Sequence, residues 1–226
     1  MAIKLTSTKE LAKESGVAAV VYGVAGSGKT FLAKTFEVPT VVLSAEAGLL
    51  SLRDVDLPVI EISSMADVME AYTFLRDKPE GQQFKAVVID SITEIGGILL
   101  AEEKSKTKDG RAAYGNTSEQ MMAMLRAFRD LPGRHVLFIA QLEKTKDEMT
   151  GAMLYGPGMP GQKLGQAIPY LTDIVMALRV EKDPEGNISR WLQTQPDLQW
   201  SAKDRSGSLD QFMQPNMSEI IRRVTA

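Results

Sequence analysis

The chain of 226 residues contains no cysteine and a single histidine. Disulfides and thiolate-held metals are thereby excluded, and a catalytic zinc is left without enough ligands. A cysteine-free chain also suits a reducing compartment. Long apolar runs are missing too. No stretch approaches the roughly 20 residues of a membrane span, and the opening "MAIKLTSTKELAKESG" lacks the apolar core of a signal peptide. The expectation is a cytoplasmic protein with no membrane partner. Nor is there an excess of positive charge: 26 Lys and Arg stand against 29 Asp and Glu, for a net charge of -3. A surface basic all over is excluded, so any contact with nucleic acid must come from local patches. What is present is ordinary for a globular chain, 44% hydrophobic and 24% charged, at a length that fits one large domain over residues 1–226.

Short apolar runs alternate with helical patterns. "VAAVVYG" (17–23), "PTVVLSA" (39–45), "LPVIEI" (57–62), "FKAVVID" (84–90) and "HVLFIAQ" (135–141) are nearly continuous in apolar character, the mark of strands buried on both faces. Between them, Met65, Val68, Met69, Tyr72 and Leu75 form a stripe at helical spacing behind a possible Ser64 cap. Met121, Met124, Leu125 and Phe128 form another, behind an expected Thr117/Gln120 capping box. Both stripes are expected in the core. Strands separated by helices predict an α/β fold with a mostly parallel twisted sheet flanked by helices. After residue 170 the pattern changes. "DIVMALRV" and "SRWLQTQ" flank the turn chemistry of Asp183, Pro184 and Gly186, which predicts an antiparallel hairpin added to the sheet. A short helix, "NMSEIIRRV", is expected in the tail at 211–226, and a short extension at 1–16.

"GVAGSGKT", residues 23–30, matches G-x-x-x-x-G-K-[ST] between an apolar strand and an expected helix, "KTFLAKTFE". The backbone from Gly23 through Val24, Ala25, Gly26, Ser27 and Gly28 can curl around phosphate oxygens, with Lys29 reaching the β- and γ-phosphates and Thr30 offering its hydroxyl to Mg²⁺. About one chain in a hundred of this length would match by chance, at average glycine usage. Asp90 ends the apolar strand "FKAVVID". A carboxylate there is costly to bury unless it meets a cation or donors, which makes it a candidate for the Mg²⁺ shell. Its bland alternative is a helix N-cap for "SITEIGGILL".

Glu46, in "VVLSAEAG", ends the second strand, and in a parallel sheet it shares a rim with the phosphate loop. It can take a proton from an attacking water or be an ordinary loop carboxylate. Gln141, at the end of "HVLFIAQ", can sense a γ-phosphate or orient water. It opens into residues 142–166, a stretch with five glycines, two prolines and no clear period, expected to be a functional loop. His135 is expected to be a structural or surface residue. In "SAKDRSGSL", Lys203 and Arg205 lie two apart and share a face if extended, either as a solvated edge or as cationic fingers aimed at an anion.

In their order, "GVAGSGKT", "VVLSAEAG", "VVIDS", "FIAQ" with its glycine-rich stretch, and "AKDRSG" resemble the RecA-like ATPases. More closely the chain is similar to small phage P-loop proteins made of a RecA core alone, grouped with the single-strand annealing recombinases. The resemblance implies that Glu46 activates water and that Gln141 couples nucleotide state to a second DNA-binding loop at 142–166, whose cations are Lys144, Lys146 and Lys163. It places a first DNA-binding loop at "EEKSKTKDGRAAYGN", with Lys104, Lys106, Lys108 and Arg111 beside Tyr114 as candidates for phosphate pairing and base stacking. It also implies that Lys203 and Arg205 reach the γ-phosphate bound by a neighbouring subunit, so that an isolated subunit is a poor ATPase. The adenine-stacking aromatic expected after the glutamate is missing from "GLLSLRD", where Arg53 is the substitute.

The implied function is that of an ATPase using ATP and Mg²⁺, assembled as a homo-oligomer, that binds single-stranded DNA and promotes annealing or strand pairing in phage recombination. A separate single-stranded-DNA-binding protein is a further implied partner. The competing expectations are a hexameric helicase-like motor and a P-loop kinase acting on a small molecule.

Overall fold

The computed structural model describes residues 6–7, 16–46 and 48–226. Except for Thr6, Ser7 and Gly16, the extension expected at 1–16 lies outside the described residues. The strands are β1 (Ala18–Gly23), β2 (Thr40–Ser44), β3 (Val59–Glu61), β4 (Ala86–Asp90), β5 (His135–Lys146), β6 (Met153–Gly158), β7 (Ile174–Lys182), β8 (Ile188–Gln193), β9 (Lys203–Asp204) and β10 (Phe212–Met213). The helices are α1 (Met65–Asp77), α2 (Pro79–Gln82), α3 (Ile92–Lys106), α4 (Gly110–Arg129), α5 (Gln162–Leu171) and α6 (Met217–Thr225). Short 3₁₀ helices span Thr30–Thr35 and Leu49–Leu52.

One sheet runs through the described residues in the order β10-β8-β7-β1-β5-β4-β2-β3, with β6 paired to β5 and β9 to β7. The pairs β7-β1, β1-β5, β5-β4, β4-β2 and β2-β3 are parallel. The expected hairpin is present as β7-β8, antiparallel, with β10 added to its far side.

The continuous apolar runs have a simple cause: alternate residues of each strand serve two cores. Val20 and Tyr22 join Leu43, Ile89 and Phe138 under α1, α3, α4 and α5. Ala19 and Val21 join Val42, Val88, Leu137 and Met176 under the first 3₁₀ helix and α6. A strand covered on both faces has no polar position to alternate with.

Three local expectations need correction. The expected helix after the phosphate loop is a 3₁₀ helix of six residues. The Thr35 hydroxyl bonds back to Leu32 O, and Phe36 is already extended, so the turn tightens and stops before Pro39. The Thr117/Gln120 capping box does not form. Asp109 caps α4 earlier, accepting from Arg111 N and Ala112 N, while Thr117 lies inside the helix and donates to Ala113 O. Met69, expected in the first stripe, is exposed; Ala71 is buried with Val68 and Leu75.

Residues 142–166 are not a loop. β5 continues to Lys146, turns at Asp147–Gly151 and returns antiparallel as β6, in register from Gln141↔Gly158 to Lys146↔Met153. The glycines serve close approach: a Cβ on Gly158 would lie 3.2 Å from Gln141 O, and one on Gly165 3.0 Å from Pro157 O. Stacked rings anchor this hairpin. Tyr155 lies 4.3 Å from Trp200, and Arg179 covers Trp200 at 4.1 Å. Among the described residues no helix is long and apolar enough to cross a membrane.

Candidate nucleotide site and nucleic-acid surface

The carboxyl ends of β1, β2, β4 and β5 point the same way, so Gly23, Glu46, Asp90 and Gln141 come to one rim of the sheet, as their strand-end positions predict. The phosphate loop leaves β1 there. Gly26 and Gly28 take φ of +74° and +101°, a region that side chains with a Cβ disfavour. The Ser27 hydroxyl is buried and has no hydrogen-bond partner among the described residues. An orphaned donor inside a curled glycine-rich turn fits a site that an anion completes.

Lys29 folds over the loop, its ammonium donating to Gly23 O and Val24 O at 3.0 Å each. Burial pulls its pKa down, against the opposing pull of Asp90 and Glu46. Thr30 Oγ1 donates to Asp90 Oδ2 at 2.6 Å, so the two candidate Mg²⁺ residues are already in contact. Asp90 is buried, and that burial raises its pKa; Thr30 and Lys29 oppose the rise, while Glu46 adds to it. Asp90 is not the N-cap of α3. Ser91 is, its hydroxyl accepting from Glu94 N.

Ser91 is one of three residues that the sequence reading passed over. Its hydroxyl also donates to Glu46 Oε1 at 2.5 Å, and Gln141 Nε2 donates to the same oxygen at 3.2 Å. The Gln141 backbone is in turn held by Thr93, whose hydroxyl accepts from Gln141 N and donates to Gly158 O. Arg190 of β8 donates through Nε to Ser27 O at 2.9 Å. Ser91 and Thr93 could have been noticed from their place just after "VVID"; Arg190 carries no motif at all. Arg53 is exposed at the end of the second 3₁₀ helix.

Lys203 and Arg205 are at the other end of the sheet. β9 pairs with the first residues of β7. The Lys203 ammonium donates to Pro169 O and Thr172 O at the end of α5, where burial and then the neighbouring Arg205 pull its pKa down. Arg205 forms a 2.6 Å ion pair with Asp173, whose other oxygen accepts from Ala18 N at the start of β1. Asp204 turns away to Ser206 and Leu209 N.

A match to the family described as AAA domain covers residues 15–206, most of the chain. The chain belongs to the AAA-domain family. Membership carries a nucleotide-binding ATPase core. Among curated proteins none matches the chain.

The nucleic-acid candidates are divided by α5. On one side, Arg111, Tyr114 and Lys163 line an open cleft of about 1170 Å³ with Pro160 and Gly161. The Lys104 ammonium lies 5.2 Å from the Tyr114 ring. The region expected as a first loop is thus the end of α3, a turn and the start of α4. Lys106 is drawn inward to Glu103 at 2.7 Å, while Lys108 is exposed on the turn. On the other side of α5, Lys146 lines a groove of about 680 Å³ with Tyr155 and Tyr170, and Lys144 lies 6.0 Å from the Tyr155 ring.

Proposed function

We propose that this AAA domain is a Mg²⁺-dependent ATPase that binds single-stranded DNA and promotes annealing or strand pairing in phage recombination, in the host cytoplasm. In this reading it works as a homo-oligomer with ATP at subunit boundaries and meets DNA alongside a separate single-stranded-DNA-binding protein. The observation that supports it most is the Gln141–Glu46 hydrogen bond. It joins the expected hydrolytic carboxylate to the first residue of the β5-β6 pairing, the hairpin that carries Lys144 and Lys146.

Each side chain has a part in this scheme. The loop N–H groups and Lys29 hold phosphate oxygens, the lysine exchanging its carbonyl partners for an anion. Thr30 and Asp90 would hold Mg²⁺, which when bound would supply positive charge to offset that of the phosphates. Among the described residues no group of three acidic or imidazole side chains can hold a metal alone, which fits an ion whose other ligands come from phosphate and water. Ser91 and Gln141 both donate to Glu46 Oε1, leaving Oε2 to orient a water and take its proton. Loss of the γ-phosphate changes what Gln141 can touch, and the hairpin follows. Lys104, Lys108, Arg111 and Lys163 pair with strand phosphates while Tyr114 offers a stacking face.

The test measures ATP hydrolysis by the purified protein with and without single-stranded DNA, together with annealing of complementary oligonucleotides. Stimulated hydrolysis and faster annealing are expected. No DNA binding in the ATP state at moderate salt sinks the proposal. Processive duplex unwinding would replace it with a ring motor, and phosphate transfer to a small acceptor with a kinase.

A further inference from the structure

Arg190 lies 163 residues along the chain from the loop it touches. It is carried there by the β7-β8 hairpin, which rises past the end of β1. β7 follows β1 in register to Ala177↔Tyr22, and Arg190 is opposite Val180, three residues further on. The approach is close: a Cβ on Gly23 would lie 2.9 Å from Leu178 O, and one on Gly28 3.6 Å from Arg190 Nε and 3.7 Å from its Cδ. The guanidinium therefore rests on the turn at Ser27 and Gly28.

Its charge is unbalanced. The bond to Ser27 O uses Nε, and among the described residues no carboxylate lies within ion-pair distance of Arg190. Among the described residues five of the other ten arginines, Arg76, Arg129, Arg205, Arg222 and Arg223, form ion pairs; what sets Arg190 apart is its anchor on the phosphate loop. An anchored Nε fixes the plane of the guanidinium and leaves both Nη groups as a fork suited to phosphate oxygens. The neighbouring loop amides are themselves donors, so a cation beside them is favourable chiefly when an anion lies between. In sheet order, Asp90, Glu46 and Gln141 stand on one side of β1 and Arg190 on the other.

We propose that Arg190 is a nucleotide-phosphate contact supplied by the same chain that carries the phosphate loop, closing the site on the side away from Glu46. It takes nucleoside di- and triphosphates alike, because it sits over the turn of the loop. The inference rests on the nucleotide-site reading of that loop.

Equilibrium titration of fluorescent ADP and ATP analogues with Mg²⁺ into wild type, Arg190→Gln and Arg190→Lys tests it, with melting of each nucleotide-free protein alongside. Arg190→Gln is expected to weaken both nucleotides by about ten- to a hundredfold. Arg190→Lys should recover part of that loss, and the nucleotide-free melting temperatures should agree. Binding by Arg190→Gln within twofold of wild type overturns the proposal. So does a lowered melting temperature with no recovery by lysine, which makes Arg190 a clasp for the loop. A wild-type protein that binds neither nucleotide overturns the nucleotide-site reading itself, an outcome distinct from a variant that binds normally.

Discussion

The two ends of the central strand are built in opposite ways. At the carboxyl end of β1, Lys29, Thr30, Asp90, Glu46 and Gln141 are bonded to loop carbonyls or to one another, beside a buried hydroxyl with no partner among the described residues. At the amino end, Lys203 and Arg205 are tied to the end of α5 and to Asp173. Six residues of strand separate the two ends, roughly 20 Å at the rise of a β-strand. One end gathers the residues proposed to bind nucleotide. The other is a pair of cations that no motion of a single chain can bring to it while the sheet is intact. The difference teaches that these cations act either on a neighbouring molecule or on nothing beyond their own corner.

The same contrast holds between two buried carboxylates. Glu103 accepts from Lys106, Asn116 and Gln120, which hold its pKa down to about 2. Among the described residues the Asp90 carboxylate accepts from Thr30 alone, and burial raises its pKa. A carboxylate with three donors is satisfied by its own chain, whereas one with a single donor leaves room for the ligand proposed at Asp90.

The largest expected effect breaks the first comparison. Lys29→Ala and Arg205→Ala should each lower turnover about a thousandfold, one by emptying the loop and the other by removing charge from the neighbour's site. Mixed in equal amounts they should recover activity, because about a quarter of random interfaces pair an intact loop with an intact Arg205. Steady-state ATPase of the mixture decides; no recovery returns Lys203 and Arg205 to their own corner. Next, Glu46→Gln should cut single-turnover hydrolysis about a hundredfold while ATP affinity, read by fluorescent-analogue titration, stays within a few fold. A proportionate loss of both would make Glu46 a binding residue.

A smaller effect probes the cleft beside α5. Tyr114→Ala should weaken single-stranded DNA about tenfold by fluorescence polarisation, with basal ATPase unchanged; equal binding would leave Tyr114 as packing for Gly161. The smallest concerns Glu103. Its folded pKa of about 2 lies below its ordinary 4.5, so its stabilisation is present above about 4.5 and is lost as the pH falls towards 2. Glu103→Gln should therefore lower the melting temperature by a few degrees at neutral pH, and the gap should close on acidification through that window. A constant gap would assign the loss to packing.

Much of the rim was legible because strand ends are marked locally. An apolar run stops at Gly23, at Glu46 after "VVLSA", at Asp90 and at Gln141, and a parallel sheet aligns such ends. The hairpin β5-β6 was not, because Gly156, Pro157 and Gly158 read as a loop in one dimension. Glycine there admits a neighbouring backbone or side chain, and proline is tolerated near the sheet edge, past the single bridge from Tyr155 to Trp200. The Thr117 cap failed because Asp109 offered an earlier one. Thr93 and Ser91 sit beside a recognised motif, yet only their bonds to Gln141 and Glu46 mark them.

The sequence by itself determined the alternation of strands and helices, the phosphate loop and the strand-end carboxylates, since each rests on neighbours a few residues apart. Only the tertiary structure decided that Gln141 holds Glu46, that Arg111 and Lys163 share a cleft, that Lys203 and Arg205 lie at the far end of the sheet, and that Arg190 rests on the loop at Ser27. Those contacts join residues far apart in the chain. Their geometry is set by strand order and register, which no local pattern encodes.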